Sequence, residues 1–358
     1  MVVRNDSGTI LLLVLWFVLI LSILAISLGR EAAVDLALTK HSIGSLKAEG
    51  LAWSGIMYAM DQIQTPEDKI PEELFKKVSL KDGYFEIGYF YKDSLSFPNV
   101  LVGNQGEVKT GPPTTNGSPR HEGTKAFGGD SFDENFRYGF QDEEQKINLN
   151  AISVDNSKIL IQLVSLLGFS EDVAKTAAAS IVDWQDQNTT PANAPAYHCK
   201  NRPFDQVEEL LLVKGINEEI FLKLKDFVTV FPKAGGTLKV NFNTASEVVL
   251  NALTRSKAGA ATNTSLEDAR SLTRKMIAYR SGPDGREATP DDRSIEMEKL
   301  GLNAKEQAIF LSLVQNMTKV SHYFRVRVRG VDRVSGASVV VEAVIKREDL
   351  SIVSWRKI

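Results

Sequence analysis

The sequence predicts an α+β protein in which a long N-terminal helix packs on an antiparallel sheet and a large all-α domain is inserted between the strands. Three observations predict this class. Residues 9–28 form an apolar run without an ionisable residue, and helical periodicity continues to about residue 63. Residues 81–91 and 323–329 have the aromatic and β-branched content of strands. The helical patterns of residues 157–314 lie between them.

The apolar run has the length of a membrane span. Its 20 residues, once helical, reach about 30 Å at roughly 1.5 Å per residue, which matches the hydrocarbon core of a bilayer. A leader of eight residues precedes the run, carries Arg4 and Asp6, and ends in Gly8. A secretory signal instead has a shorter apolar run followed by small residues. The order found here resembles a type IV prepilin signal.

That resemblance implies that a prepilin peptidase cleaves between Gly8 and Thr9 on the cytoplasmic side and leaves the apolar helix on the mature chain. Arg4 agrees with a cytoplasmic N-terminus, whereas Asp6 does not. An uncleaved signal anchor is the alternative interpretation. Either interpretation predicts a single-pass membrane protein with a cytoplasmic N-terminus; in a bacterium, the protein then lies in the inner membrane with the bulk of the chain in the periplasm.

The helix is predicted to continue beyond the membrane. Apolar residues recur at spacings of three and four from residue 30 to about residue 63, and no proline occurs before Pro66. A helix over residues 9–63 would be roughly 80 Å long, with one half in lipid and one amphipathic half on a soluble body. This is the outline of a pilin, so the predicted fold is pilin-like.

The composition bounds the remaining functions only broadly. The 358 residues are 43% hydrophobic and 24% charged, which is enough for two cores after the anchor is subtracted. The net charge of −3 gives no basic footprint for nucleic acid. Because Cys199 is the one cysteine, an internal disulfide is excluded.

The first strands of the sheet are predicted before the helical patterns. Residues 81–91 and residues 136–141 are predicted strands. Residues 104–130 between them are rich in Gly, Pro, Thr and Asn, which is typical of an exposed, variable loop. An acidic cluster at residues 142–144 follows the second strand.

The last strands are predicted after the helical patterns. Residues 323–329 and 337–346 form a predicted hairpin, and residues 352–358 supply a last short strand. Alternation places Arg325, Arg327 and Arg329 on one face. We interpret this basic stripe as a solvated face that pairs with acidic neighbours, with a partner-binding edge as the alternative.

An internal repeat begins two helical segments. The sequence KINLNA at residues 146–151 is matched by KVNFNTA at residues 239–245. In each copy two asparagines lie two residues apart on one side of a short strand. The last asparagine, or the threonine or serine after it, can cap the following helix, and we prefer capping to a catalytic role.

A helix-hairpin-helix pattern lies within the first repeat. Residues 204–213 and 217–231 are predicted helices, joined by Lys214, Gly215 and Ile216. Backbone amides at such a hairpin can hold a phosphate of DNA. Four carboxylates crowd this hairpin and would repel phosphate: Glu208, Glu209, Glu218 and Glu219. No nucleic acid partner is therefore expected.

Taken together, these segments resemble the K-type minor pseudopilin of type II secretion systems, also called general secretion pathway protein K. Besides the leader and INLNA, the resemblance rests on IVDWQD at 181–186, NRPFDQVEELLLVKGI at 201–216, FVTVF at 227–231 and VNFNTAS at 240–246. It implies a leader (1–8), an N-terminal helix (9–63), a first part of the pilin body (64–145), an inserted helical domain (146–319) and the last strands of the body (320–358).

The resemblance implies a non-enzymatic subunit at the tip of a periplasmic pseudopilus, which helps to initiate its assembly for protein export across the outer membrane. The implied partners are the I-type and J-type minor pseudopilins, the major pseudopilin and the prepilin peptidase. Most pilins carry a glutamate at the fifth mature position, where this chain has Leu13. A subunit with nothing above it has no use for that carboxylate. Leu13, Val14 and Leu15 are expected in the membrane bundle.

Members of this family can bind calcium through acidic loops. One candidate loop offers Asp183, Asp186, Asn188 and Asn201, and a second offers Asp284, Glu287, Asp291 and Asp292. Calcium needs about six to eight oxygen ligands, so solvated carboxylates without metal are the alternative. Thr9 stands where the family usually has phenylalanine, which leaves cleavage efficiency and N-methylation open.

No enzyme is predicted. His198 and Cys199 have no partners at the spacing of a zinc site or of a nucleophile and its base. The motifs HExxH and GxSxG and a glycine-rich phosphate loop do not occur. Two alternative functions stay open, a minor pilin of a type IV pilus and a membrane-anchored helix-hairpin-helix protein that binds DNA.

Overall fold

The computed structural model describes residues 7–64, 75–90, 136–186, 199–233, 236–259, 263–283, 285 and 291–358. It confirms the predicted class, because a long N-terminal helix packs on an antiparallel sheet and further helices occur between the strands. The described residues form two separate hydrophobic cores. One lies between the long helix and the sheet, and the other fills a helical body built mainly from residues 147–313.

Helix α1 spans Ser7–Gln64 and contains 58 residues. Residues 11–43 are exposed, and the most apolar part of the helix has no residue buried inside the protein. From Gly44 onward one face of α1 packs on the sheet through residues such as Ala48, Ala52 and Ile56. One continuous helix thus has an uncovered apolar segment and a segment docked on the sheet.

The contact between α1 and the sheet depends on small residues. A Cβ atom at Gly330 would lie 2.0 Å from the carbonyl oxygen of Ala48 and 2.5 Å from the backbone nitrogen of Ala52. Real Cβ atoms do not approach backbone atoms this closely. The backbones of helix and strand therefore meet directly at this point.

The main sheet is antiparallel. Its strands are β1 (Val78–Ser79), β2 (Gly83–Phe90), β3 (Phe136–Tyr138), β4 (Gln141–Asp142), β9 (Tyr323–Asp332), β10 (Ser338–Lys346) and β11 (Ile352–Lys357). The principal order is β1-β2-β9-β10-β11, with β3 paired to β2 and β4 paired to β9. The predicted final hairpin and last strand are thus present as β9, β10 and β11.

The single strand predicted over residues 136–141 is wrong. Gly139 has φ of +124°, a conformation that side-chain-bearing residues rarely adopt, and it divides the segment into β3 and β4. Strand β3 pairs with β2, whereas β4 pairs with β9. The glycine therefore lets one segment contribute to two neighbouring strands of the sheet.

The helical body contains six α-helices in the described part of the chain. These are α2 (Lys158–Leu166), α3 (Glu171–Gln185), α4 (Glu218–Leu224), α5 (Glu247–Lys257), α6 (Leu266–Arg280) and α7 (Ala304–Leu313). The helix predicted over residues 204–213 is instead the 3₁₀ helix Val207–Leu212, which Val213 closes by donating its N–H to Leu210. Within the helical patterns predicted over residues 157–314, Met297–Lys299 likewise form a 3₁₀ helix.

Two short parallel strand pairs relate the halves of the helical body. Strand β5 (Ile147–Asn148), which starts the first repeat, pairs with β6 (Val228–Thr229). Strand β7 (Val240–Asn241), which starts the second, pairs with β8 (Met317–Thr318). The helix predicted over residues 217–231 therefore ends at Leu224, because the chain leaves it to form β6.

Candidate functional site

In each repeat, the last residue of a helix donates hydrogen bonds to the carbonyls at the same two positions of the repeat segment. Gln185, the last residue of α3, donates its amide to the carbonyls of Leu149 and Ile152 at 3.1 and 2.7 Å. Arg280, the last residue of α6, donates to the carbonyls of Phe242 and Ala245 at 2.8 and 2.7 Å. Phe242 and Ala245 occupy the positions of Leu149 and Ile152 in the second copy. Both repeat segments are thus anchored from the end of a helix.

The last asparagine of each copy, Asn150 or Asn243, holds distant segments together, whereas the predicted cap is the serine that follows the second copy. Asn150 accepts the N–H of Phe204 at 2.7 Å and donates to the carbonyls of Phe204 and Val230. Asn243 accepts the N–H of Ile295 at 2.9 Å in the second copy. The hydroxyl of Ser246 caps α5 by accepting the N–H of Val249, and Asn148 caps the short 3₁₀ helix Leu149–Ala151 by accepting the N–H of Asn150 at 3.0 Å.

A buried carboxylate, Glu143, forms the centre of the junction between sheet and helical body. Its side chain is completely buried and accepts hydrogen bonds from Arg325 on β9 and from Lys146 at 2.7 and 2.8 Å. Thr229 of the first repeat donates its hydroxyl at 2.5 Å. Burial opposes ionisation, but the charges of Arg325 and Lys146 outweigh it and hold the pKa of Glu143 well below its usual range. Glu143 is therefore a carboxylate with a structural role.

The neighbouring Asp142 connects the second repeat. Its carboxylate accepts bonds from the hydroxyls of Ser321 and Thr244 at 2.5 and 2.6 Å and from the amide of Asn241 at 3.2 Å. It also accepts the backbone N–H of Glu144 at 2.8 Å. Burial raises the pKa of Asp142 in spite of these four donors. Asp142 and Glu143, which are consecutive in the chain, thus connect the sheet with the second and the first repeat, respectively.

The third acidic residue completes the junction. Glu144 accepts the backbone N–H of His322 at 2.5 Å, and burial raises its pKa. His322 immediately precedes β9, the strand that pairs with β4. We call Asp142, Glu143 and Glu144, with Lys146 and Arg325, the acidic junction. Sequence reasoning noticed the three carboxylates but assigned them no role.

The arginines of β9 form an ion-pair ladder, not a solvated stripe. Arg325 is largely buried and bonds to Glu342 on β10 as well as to Glu143, and Arg327 bonds to the same Glu342 at 2.8 Å. Arg329 lies 4.0 Å from Glu86 on β2. The expected pairing with acidic neighbours is correct, but the expected solvation is wrong because the helical body covers part of this face.

A cleft of roughly 730 Å³ lies between the charged face of the sheet and the helical body. Its lining includes Arg327 and Glu342 from the sheet and Glu208 and Phe221 from the helical body. Arg356 of β11 crosses it, bonding to Glu342 at 3.0 Å and to Glu208 at 2.5 Å. This ion pair is a second tie between the two bodies, beside the acidic junction.

The predicted membrane and cleavage residues belong to the uncovered end of α1. Leu13, Val14 and Leu15 are all more than half exposed, as expected for apolar side chains that contact lipid rather than the rest of the protein. Gly8 and Thr9 lie in the first turn of the helix. Their role in cleavage stays a prediction, as does the bundle formed by residues 13–15.

The candidate calcium loops do not come together as a metal site within the described residues. Asn188, Asp284 and Glu287 lie outside the part of the chain that the structure describes. Among described residues, no group of three or more His, Cys, Asp or Glu is arranged to hold a metal. Asp183, Asp186, Asn201, Asp291 and Asp292 alone do not supply the oxygen shell that calcium needs. Calcium binding therefore stays a prediction.

The first candidate loop instead holds the single thiol. Cys199 donates its S–H to Asp183 at 3.2 Å. Burial and this carboxylate raise the pKa of Cys199 to about 11. The thiol is therefore kept protonated and unreactive, which is the opposite of a nucleophile's requirement.

The chain is similar to type II secretion proteins by three comparisons. Residues 145–233 match a family model described as type II secretion system (T2SS), protein K. The type II secretion system protein K of Pseudomonas aeruginosa is 30% identical over 145 residues, which cover 36% of this chain and 42% of that relative, so the match spans less than half of the relative's length. A chain in the crystal structure of the GspK-GspI-GspJ complex from enterotoxigenic Escherichia coli shares the fold, with a TM-score of 0.51, 16% identity and coverage of 91% of this chain and 99% of that chain.

Proposed function

We propose that this chain, whose residues 145–233 match the protein K family model, belongs to the type II secretion protein K family and is a non-enzymatic minor pseudopilin of a bacterial inner membrane. The observation that carries the proposal is the continuity of α1, which is apolar and uncovered over the thickness of a bilayer and then docks on the sheet. Such a helix keeps the head beside the membrane. It also offers its uncovered length to the helices of other subunits.

We place the subunit at the tip of the pseudopilus, where it helps to initiate assembly, for two reasons. Leu13 stands where a carboxylate would need the amino terminus of a subunit above, and an unpaired charge in lipid would only cost free energy. The helical body, fixed to the sheet by the acidic junction, adds bulk that would obstruct a further subunit stacked above. The similar Escherichia coli chain comes from a complex named GspK-GspI-GspJ, which supports I-type and J-type partners.

Leader cleavage tests the pilin class. The intact mass of the full chain would be measured after expression with and without a prepilin peptidase. We expect loss of residues 1–8 only when the peptidase is present, and an added methyl mass if Thr9 is N-methylated. Gly8→Val should block the cleavage, whereas Gly29→Ala, a helical glycine with open space around it, should not. An unchanged mass of the wild type would leave an ordinary signal anchor.

Assembly tests the subunit's place in the machine. The full chain would be purified from detergent-solubilised membranes in which I-type and J-type minor pseudopilins are also present. We expect a stable complex that contains all three proteins. A chain that retains neither partner would contradict the proposal, and a salt-sensitive shift of DNA in a gel would favour the DNA-binding alternative.

We also propose that the acidic loops bind calcium, through Asp183 and Asp291 and through candidate ligands that lie outside the described residues. A site that binds only the folded state would raise the unfolding temperature. The melting temperature of the full chain would be compared in calcium and in excess chelator. Equal temperatures would remove calcium from the proposal. Asp183→Asn and Asp291→Asn, made separately, would assign any difference to the first or the second loop.

A further inference from the structure

The cleft between the sheet and the helical body has no part in the proposed function. Its volume of roughly 730 Å³ lies within the range of small-molecule sites, about 300–1,000 Å³. Its floor is the face of the sheet that carries Arg327 and Glu342, and residues of the 3₁₀ helix Val207–Leu212 and of α4 line the opposite wall. The acidic junction borders one side, where Gln145 and Lys146 line the cleft. A cavity of this size between two bodies is a candidate binding site.

The charges of the cleft cancel. Among the described residues, five cationic and four anionic side chains line it, and the buried Glu143 adds a fifth negative charge on the junction side. Most of these charges are already paired. One carboxylate, that of Glu342, bonds to Arg325, Arg327 and Arg356. A strongly charged ligand would have to break such pairs before it gained a partner, so the cleft favours a ligand without net charge.

Polar side chains that are free to bind a ligand lie on three sides of the cleft. Within the described part of the chain, no hydrogen bond is made by the side chains of Gln145 at the junction, Gln206 before the 3₁₀ helix and Ser354 on β11. An amide or a hydroxyl group can both donate and accept a hydrogen bond. The best match is a ligand whose own groups do both, as hydroxyls do, whereas a carboxylate only accepts and an ammonium group only donates.

The helical body adds apolar surface to this polar lining. Phe221 of α4 and Val207 of the 3₁₀ helix line the cleft and are half-buried, so part of each side chain stays accessible. A sugar ring carries C–H groups on its face and hydroxyls at its rim, so it can cover an aromatic ring while its hydroxyls bond to amides. A purely apolar ligand would instead leave the polar side chains of the cleft without partners.

An extended peptide matches the cleft less well. The floor strand β9 pairs with β2 and β4 on one side and with β10 on the other, and β10 also pairs with β11. Because the backbone groups of these two strands are committed to the sheet, a peptide that lies on this face could not join it as a further strand. The ligand class that remains is neutral and rich in hydroxyl groups.

We propose that the cleft binds a neutral oligosaccharide, with one sugar ring over Phe221 and hydroxyls bonded to Gln145, Gln206 and Ser354. This inference goes beyond the proposed function, since no partner subunit takes part in the binding. The proposed function places the head in the periplasm. Glycan strands of the cell wall and soluble oligosaccharides are two sources of this chemistry there.

Titration with two neutral sugars tests the cleft. The full chain would be purified in a detergent without a sugar headgroup and titrated by calorimetry with chitotetraose, which is N-acetylated as wall glycans are, and with maltotetraose. We expect binding of at least one sugar and no competition by the neutral peptide tetra-alanine. Binding of chitotetraose together with sedimentation of the chain on isolated cell-wall sacculi would assign the wall as the source. Binding without sedimentation would assign soluble oligosaccharides.

Substitutions in the cleft assign the binding to it. The double variant Gln145→Ala, Gln206→Ala should bind the preferred sugar about tenfold more weakly, because two hydrogen bonds to the ligand are lost. Gln307→Ala is the matched control, since Gln307 is an exposed glutamine on α7 that does not line the cleft. The control should bind the sugar as the wild type does. Circular dichroism of each variant must match the wild type, so that weaker binding reflects the cleft and not the fold.

The inference and the proposed function fail in different ways. Binding of neither sugar by the wild type, displacement of the sugar by tetra-alanine, or equal affinities of the double variant and the control would overturn the inference. If the chain retains its I-type and J-type partners in that case, the proposed function stands. A chain that binds the sugar but retains neither partner would contradict the proposed function alone.

Discussion

Replacement of Glu143 by glutamine should destabilise the chain more than any surface substitution. The change removes one charge and leaves Lys146 and Arg325, with side chains only 8% and 20% exposed, next to a neutral amide. Removal of one partner from a buried ion pair costs about 3–5 kcal/mol, because the other charge stays desolvated. We expect a loss of stability in that range, and a smaller loss when Lys146→Met is added.

The assay is urea unfolding of the full chain in detergent micelles. Trp184, which is buried and stacked on Phe204 at 6.2 Å, would report on the helical body once the tryptophans at positions 16, 53 and 355 are changed to phenylalanine. The matched control is Glu171→Gln, which breaks an exposed ion pair with Lys175 and should barely change the midpoint.

The pH dependence provides an independent check. The folded state holds the pKa of Glu143 below its ordinary value of 4.5, so its contribution is complete above that pH and is lost as the pH falls. The wild type should therefore lose stability on acidification faster than Glu143→Gln does. If the glutamine variant unfolds at the same urea concentration as the Glu171→Gln control, the acidic junction does not hold the two bodies together.

Three further substitutions test other contacts. Gly330→Ala should displace α1 from β9 and lower the melting temperature, because its Cβ would overlap the carbonyl of Ala48. The control Gly50→Ala, with open space around it, should stabilise the helix by up to about 1 kcal/mol. Equal effects of the two substitutions would refute the close contact. Asn150→Ala should cost about 1–3 kcal/mol in urea unfolding, since the N–H of Phe204 would lose its partner, and a neutral result would contradict the cross-linking role. Cys199 should react with iodoacetamide roughly 100-fold more slowly than a thiol of pKa 9.0, because its pKa is about 11, and Asp183→Asn should accelerate the reaction.

The elements with a periodic pattern in the local sequence could be predicted. The periodicity from Thr9 to Ile63 gave α1 almost to the residue, and alternation in YFRVRVR located β9. Strands β6 and β8 were missed because each has two residues and exists only through parallel pairing with a segment about 80 residues away. No local pattern records such a contact.

The acidic junction was missed for a similar reason. A run of Asp, Glu and Glu ordinarily indicates a solvated surface, because charged residues are seldom buried without partners. The partner of Glu143 is Arg325, which is 182 residues later in the chain. The one local signal was the position of the acidic run directly before KINLNA, between a predicted strand and the first repeat.

The pairing of β4 with β9 has a consequence for the history and engineering of this chain. Gln141 and Asp142 face Arg325 and Phe324, so the chain enters the helical body and returns from it on adjacent antiparallel strands. In the topology of the sheet, the chain between Asp142 and Phe324 is one connection between adjacent antiparallel strands. The entropy cost of closing such a connection grows only logarithmically with its length. A short turn that joins these two strands would therefore preserve the topology of the sheet, and the head could have gained its helical body as a single insertion.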